Sequence, residues 1–128
     1  MKRLRGRVIC RGKARGTALV SPAAIGFLGG VDPDTGVVIE RKHPLSGQCV
    51  AGRILVFPTG KGSTVGSYTL YRLHKNRLAP AAIVNARSEA IVAVGAIISG
   101  IPMVDLVDLT QIHTGDRVSV DGEDVVIG

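Results

Sequence analysis

Residues 53–75 read RILVFPTGKGSTVGSYTLYRLHK. The segment begins with an apolar run at residues 53–57, which predicts a buried strand that is apolar on both faces. A loop rich in glycine follows, and residues 64–75 have the apolar spacing of a helix, with Ser63 or Thr64 as its predicted N-cap. A buried strand that leads through a loop into a helix is typical of an α/β domain, in which helices cover a sheet.

Shorter elements are predicted on both sides of this segment. Before it, β-prone runs predict strands at residues 7–10, 16–20 and 37–40. After it, the pattern predicts a strand at residues 81–85, a helix at 88–98, a strand at 103–107 and a hairpin at 117–127. Because the sequence contains no repeat, linker or low-complexity tract, residues 1–128 are expected to form one β-rich α/β domain.

The composition indicates an aliphatic core and an excess of positive charge. Of the 128 residues, 45% are hydrophobic and only 3% aromatic, and the formal net charge is +6. The basic residues concentrate early in the sequence, at Lys2, Arg3, Arg5, Arg7, Arg11, Lys13 and Arg15. Such a cluster occurs on nucleic-acid-binding faces, on solvated strands and on surfaces that meet an acidic partner. The scarcity of aromatic residues argues against nucleic acid, because single-strand binders usually stack bases on them.

Neither a metal-binding pattern nor a membrane-spanning segment is found in the sequence. Cys10 and Cys49 form no CxxC motif, and two thiols are fewer than an iron–sulphur cluster usually needs. The three histidines show no metal-ligand spacing, at His43, His74 and His113. We expect structural roles for these five residues and no metal in this chain. The longest apolar stretch, residues 90–98, is too short to cross a bilayer, so a cytoplasmic location with reduced thiols is expected.

The loop at residues 60–67 has the features of an anion-binding site. The first turn of the following helix leaves backbone N–H groups free, and the helix dipole adds about half a positive charge there. The loop contributes close-approach glycines, one cation and three hydroxyls, from Gly60, Gly62, Lys61, Ser63, Thr64 and Ser67. Together these groups suit a phosphate or a carboxylate. The spacing does not fit a Walker A motif, and an ordinary glycine-rich turn with a serine cap remains the alternative.

Four motifs, in order, carry a resemblance to a known family. They are GKGSTVGSY at residues 60–68, APAAIV at 79–84, IVAVGAI at 91–97 and GIPMVD at 100–105. With this combination the chain resembles the small subunits of the aconitase X family over nearly its whole length. The resemblance implies a swivelling β/β/α fold, like the mobile C-terminal domain of aconitases. It also implies a large catalytic subunit whose cysteines hold an iron–sulphur cluster.

The resemblance further implies an activity and a set of site residues. The expected reaction is loss of water from 5-phosphomevalonate to give trans-anhydromevalonate 5-phosphate, in a modified mevalonate route to isoprenoids. The serine at position 63 matches the family's proton acceptor. Substrate-binding roles are expected for Lys61, Gly62, Thr64, Gly66 and Ser67. The arginines Arg53, Arg72 and Arg87 are additional candidates, and the sequence does not distinguish between them.

Two other functions stay open at this stage. The same fold serves dehydratases of other hydroxy acids, such as cis-3-hydroxy-L-proline. Alternatively, the chain is a basic RNA- or anion-binding module without catalytic activity. Co-purification of a larger, brown, cysteine-bearing partner would distinguish either dehydratase from the binding module.

Overall fold

The computed structural model describes residues 1–128. It contains eight strands: β1 (Lys2–Arg5), β2 (Arg7–Cys10), β3 (Lys13–Val20), β4 (Ile54–Phe57), β5 (Ala82–Asn85), β6 (Met103–Asp105), β7 (Arg117–Asp121) and β8 (Asp124–Ile127). Two α-helices are present, α1 (Gly66–Lys75) and α2 (Ala90–Ser99), together with a short 3-10 helix at Leu109–Gln111. None of the helices has the length and apolar character required to span a bilayer.

All eight strands belong to one sheet, in the order β1-β8-β7-β3-β4-β5-β6-β2. Strands β3, β4, β5 and β6 are parallel, and α1 and α2 are the crossovers that connect β4 to β5 and β5 to β6. The long strand β3 joins the two halves of the sheet. Its first part pairs with β7 in the antiparallel sense, and residues 18–20 pair with β4 in the parallel sense.

Two hydrophobic cores divide the molecule into three layers. One core of 16 buried residues lies between the parallel strands and the helices and includes Leu55, Phe57, Leu70 and Met103. The other, of 11 buried residues, joins the opposite face of the same strands to β7 and β8, for example Val56 to Val120. Alternate residues of β4 therefore face different cores, which explains why the strand has no polar face. The result is a β/β/α arrangement, and the predicted α/β fold class is confirmed.

Most predicted elements are present, with three differences. The strand predicted at residues 37–40 is wrong, because this segment forms only isolated bridges, Val31 to Val38 and Val37 to Cys49. The first strand, β1, was not predicted as a separate element. Helix α1 begins later than predicted, and Val65, not Ser63 or Thr64, occupies its N-cap position without a side-chain bond.

Candidate active site

The loop at residues 58–65 lies at the carboxyl edge of the parallel strands. Strand β4 ends at Phe57, and the loop leads from it into α1 at Gly66. The carboxyl ends of β5 and β6, at Asn85 and Asp105, belong to the same edge because these strands run parallel to β4. In open α/β sheets, ligands bind at this edge.

Backbone contacts hold the first half of the loop in place. The N–H of Ile25 donates to the carbonyl of Thr59 at 3.2 Å, and the N–H of Lys61 donates to the carbonyl of Ile25 at 3.1 Å. Gly60 lies against the N-terminus of α2, where a Cβ atom would overlap the carboxylate of Glu89. The loop therefore leaves the sheet in a fixed direction, and glycine at position 60 is a packing requirement.

The second half of the loop presents unused hydrogen-bond donors. Gly62 has a φ of 93°, a left-handed conformation that favours glycine and turns the chain away from the strand direction. The backbone N–H groups of Gly62, Ser63 and Thr64 donate to no acceptor in the protein. All three residues are exposed. Three consecutive free N–H groups immediately before the N-cap of α1 can form a cradle for an oxyanion.

Ser63 lies in the middle of this cradle. Its Oγ accepts a hydrogen bond from the N–H of Val65 at 3.2 Å, so its own hydrogen is not committed to a protein acceptor. The first turn of α1 contains no acidic residue, and the last turn contains Arg72, His74 and Lys75. This charge distribution complements the helix dipole and leaves the positive end of α1 unopposed by a carboxylate of the helix itself.

Two of the predicted binding residues already have partners within the chain. The Lys61 ammonium lies 3.0 Å from Oε1 of Glu40, with both side chains partly exposed. The Ser67 hydroxyl donates to the carbonyl of Ile91 at 2.6 Å and so joins α1 to α2. A bound anion would receive a bond from either residue only after the present contact is broken. The exposed hydroxyl of Thr64 has no protein partner.

The tertiary structure separates the three candidate arginines. Arg53 precedes β4 at the opposite edge of the sheet and donates to the carbonyls of Thr17 and Ala18. Arg72 forms an ion pair with Asp34, at 3.5 Å. Only Arg87, which follows β5, lies at the edge that carries the loop.

An ion pair between the exposed Arg7 and the buried Asp105 supports the neighbouring turn between β5 and α2. Two nitrogens of Arg7 donate to the two carboxylate oxygens of Asp105 at 3.0 and 2.8 Å, and the N–H of Ser88 donates to Asp105 at 2.9 Å. Burial acts to raise the pKa of Asp105. The hydrogen bonds from Arg7 and Ser88, together with the Arg7 charge, outweigh it, so this pKa lies below its ordinary value. No sequence pattern indicates this pair, because its members are 98 positions apart.

The residues of this chain do not fit an iron–sulphur cluster. No group of three or more histidine, cysteine or acidic side chains is arranged to hold a metal ion. Cys10 lies in β2, where burial raises the pKa of its thiol. Cys49 lies in a loop, and its thiol contacts the carbonyl of Thr35. Among the histidines, His43 is buried and bonds to Ala24 and Leu45, which is a structural role.

An apolar surface surrounds the loop on the helical side. Val65 and Tyr68, which belong to the apolar spacing of residues 64–75, are 51% and 68% exposed. Val94 and Ile97 of α2 are also about half exposed, and together these four residues are called the helical face below. A groove of about 300 Å³ runs along this face beside the loop and is lined by Thr64, Ser67, Ala90, Ile91 and Val94. The loop that contains Ser63 thus opens onto an exposed apolar surface.

Comparisons with known proteins assign a family to this arrangement. Residues 3–128 match the family described as the aconitase X swivel domain. A protein of Methanocella arvoryzae named phosphomevalonate dehydratase small subunit is 60% identical, with 93% of this chain and 92% of that protein covered. A protein of the same name from Thermococcus sibiricus is 57% identical, with 94% and 93% covered. The crystal structure of holo-form Thermococcus kodakaraensis aconitase X contains a chain that is 53% identical, with a TM-score of 0.98 and coverage of 100% and 99%.

Proposed function

This chain belongs to the aconitase X swivel-domain family, and we propose that it is the small subunit of a phosphomevalonate dehydratase. The reaction is the removal of water from 5-phosphomevalonate to give trans-anhydromevalonate 5-phosphate. The family membership and the names of relatives at 57–60% identity support this assignment. Ser63 is the proposed proton acceptor, and the loop around it binds one anionic group of the substrate.

The observation that carries the proposal is the open cradle at residues 62–64. Its three consecutive N–H groups have no protein acceptor and are exposed, so they can donate to a ligand. The proton to be removed is on the carbon next to the substrate carboxylate. A carboxylate bound by these N–H groups would place that carbon beside Ser63 Oγ, in the middle of the same three residues. Binding and proton removal would then use one short segment of backbone.

Ser63 requires activation, because a serine hydroxyl is a very poor base at neutral pH. The N–H of Val65 already donates to its Oγ, and the positive end of α1 adds a favourable potential for the alkoxide. When Ser63 takes the proton from carbon, the hydroxyl on the neighbouring carbon departs and a double bond forms between the two carbons. We assign acceptance of the departing hydroxyl to groups outside this chain.

A larger partner completes the proposed enzyme. The chain's own residues do not fit a cluster, so we assign the iron–sulphur group to the large subunit. Exposed apolar side chains near the loop, including Val65, Tyr68 and Ile97, provide a surface for that subunit to cover. We expect an interface that buries more than about 1,000 Å² in total. Covering the helical face would also exclude water from the groove beside Ser63.

Reconstitution with the iron–sulphur large subunit tests the proposal. The mixed subunits should turn over 5-phosphomevalonate, while the isolated small subunit should be folded, colourless and inactive. Sedimentation of the mixture should show a complex at micromolar concentration. Independent sedimentation would contradict the assembly, and turnover by the isolated chain would contradict the division of the site between two subunits. Turnover of cis-3-hydroxy-L-proline but not of 5-phosphomevalonate would support the proposed dehydration and contradict the proposed substrate.

The RNA-binding alternative receives no support from the basic face of the sheet. Five basic residues lie on the outward side of β1, β3 and β7, namely Arg3, Arg5, Lys13, Arg15 and Arg117. Three of them are paired with Asp121 or Asp124. The four aromatic side chains are elsewhere, since both phenylalanines are buried and both tyrosines are on α1. This face therefore lacks the stacking platform of a single-strand binder.

A further inference from the structure

Arg87 is held beside the active-site loop by its backbone. The N–H groups of Ala86 and Arg87 both donate to the carbonyl of Pro58, at 3.1 and 3.0 Å. On the other side, the carbonyl of Ala86 accepts the N–H of Leu106 at 3.0 Å. These bonds tie the start of the turn after β5 to the first residue of the loop that contains Ser63. The exposed side chain of Arg87 starts from this fixed position.

Arg87 is a cation without a protein partner at this edge of the sheet. Arg7 is bound to both carboxylate oxygens of Asp105. Lys61 is bound to Glu40. Arg87 makes no ion pair and no side-chain hydrogen bond. The nearby acid in sequence, Glu89, is used as the cap of α2, where it accepts the N–H groups of Ile91 and Val92 at 2.8 Å.

A substrate with two anionic ends needs two binding sites in the enzyme. The proposed function uses the N–H groups of residues 62–64 for the carboxylate, because the proton removed by Ser63 is next to that carboxylate. The phosphate is at the far end of the substrate and requires a separate cation. Lys61 could bind the phosphate only after breaking its ion pair with Glu40, whereas Arg87 has no ion pair to break. A guanidinium also offers a planar pair of N–H donors that matches a phosphate.

We propose that Arg87 binds the phosphate of the substrate and is the residue of this chain that selects a phosphorylated hydroxy acid. The inference rests on the proposed function, whose carboxylate site it complements. Arg87 acts in binding, and proton transfer is left to Ser63.

Substitution of Arg87 in the reconstituted pair tests this role. Arg87→Ala should raise the KM for 5-phosphomevalonate about 10- to 100-fold, because hydrogen bonds to charged groups contribute about 1.5–3 kcal/mol. The kcat should stay within about threefold, and Arg87→Lys should recover part of the KM because it restores the charge without the planar donors. Arg15→Ala is the matched control, since it removes another unpaired, exposed arginine from the basic face and should change neither parameter.

Anion titration of the small subunit provides a readout independent of activity. Inorganic phosphate should shift the NMR signal of the Arg87 Nε–H group, and acetate should shift the backbone amides of residues 62–64. An active pair in which Arg87→Ala and Arg87→Gln leave the KM within twofold would overturn the inference and keep the proposed function. Absence of any Arg87 shift with phosphate would also overturn it. A phosphate-dependent shift in a pair that does not turn over 5-phosphomevalonate would support the anion site and overturn the proposed function.

Discussion

Two strand-to-helix turns meet at the same edge of this sheet and end differently. The turn between β4 and α1 leaves the N–H groups of Gly62, Ser63 and Thr64 free, and the first turn of α1 has no acidic residue. In the turn between β5 and α2, the carboxylate of Glu89 accepts the N–H groups of Ile91 and Val92. The two turns are in contact, because Gly60 packs against Glu89.

This difference separates a turn whose donors are satisfied by a side chain from a turn that keeps three free donors. A helix N-terminus has several backbone donors without intrahelical acceptors, and it is stabilised when a side chain satisfies them. The second turn obtains that stabilisation from its own sequence. In the first turn the N–H groups of residues 66–68 donate to the carbonyls of residues 63–65, and the three free donors, at residues 62–64, precede the N-cap. Substitutions in each turn distinguish a functional difference from a purely structural one.

Removal of the Ser63 hydroxyl should have the largest effect. Ser63→Ala in the reconstituted enzyme should lower kcat at least about 100-fold, because general-base contributions are typically 10²–10⁴. Folding and assembly should survive, since the Oγ makes only one bond, to the N–H of Val65. Steady-state kinetics with sedimentation of the same preparation checks both statements. If the assembled variant has a kcat within about threefold of wild type, Ser63 is not the base and the loop has at most a binding role.

A carboxylate introduced into the first turn should weaken the binding of an anionic substrate there. Thr64→Asp places a negative charge beside the free N–H groups, where it would compete with the substrate and repel it. We expect the KM to rise about tenfold or more, because like charges about 4 Å apart interact by about 4 kcal/mol near a protein surface. Thermal stability should rise slightly through the helix dipole. Thr64→Asn is the uncharged control, and an equal KM for both variants would argue against an anion at this position.

Opening the second turn should affect stability instead of catalysis. Glu89→Ala removes the acceptor of two N–H groups and should lower the free energy of unfolding by about 1 kcal/mol. Chemical denaturation of the isolated subunit measures the change. Glu123→Ala is a suitable control, because this exposed acid makes no ion pair and no side-chain hydrogen bond. If Glu89→Ala instead abolished turnover in an assembled, stable enzyme, the two turns would not be functionally distinct.

Acid should weaken the support that Asp105 gives to the second turn. Of the four predicted effects, this one should be the smallest. Asp105 accepts the N–H of Ser88, and its pKa in the folded chain is below the ordinary value of 3.8. Its stabilisation is complete above that ordinary value and is lost as the pH falls through the lower pKa of the folded state. Thermal unfolding below pH 4 should therefore show a steeper loss of Tm in wild type than in Asp105→Asn. Asp108, whose pKa is lowered by hydrogen bonds from Thr110 and Gln111, contributes equally to both proteins. Equal slopes would exclude Asp105 as a source of acid sensitivity.

Local sequence determined the layered core and the position of the candidate site. An apolar run without a polar face predicted β4, and its side chains do alternate between the two cores, as Leu55 and Val56 show. Helical spacing predicted α1, and the glycine-rich loop between them could be located from composition alone. These features depend on neighbours along the chain, so they are visible in a window of about ten residues. The predicted strand at residues 37–40 failed because Val37 and Val38 bridge only single residues of nearby loop segments, Cys49 and Val31, and no continuous strand pairs with them.

Only the tertiary structure decided which groups in the site are free. Lys61, Ser67 and Arg87 looked equally available in the sequence. Folding brings Glu40 to Lys61 and the carbonyl of Ile91 to Ser67, across separations of 21 and 24 residues, and leaves Arg87 without a partner. Parallel strand order likewise moved Arg53 to the opposite edge from the loop. A side chain's type is written in the sequence, but its hydrogen-bond and charge partners depend on long-range packing, and those partners determine whether it can bind a ligand.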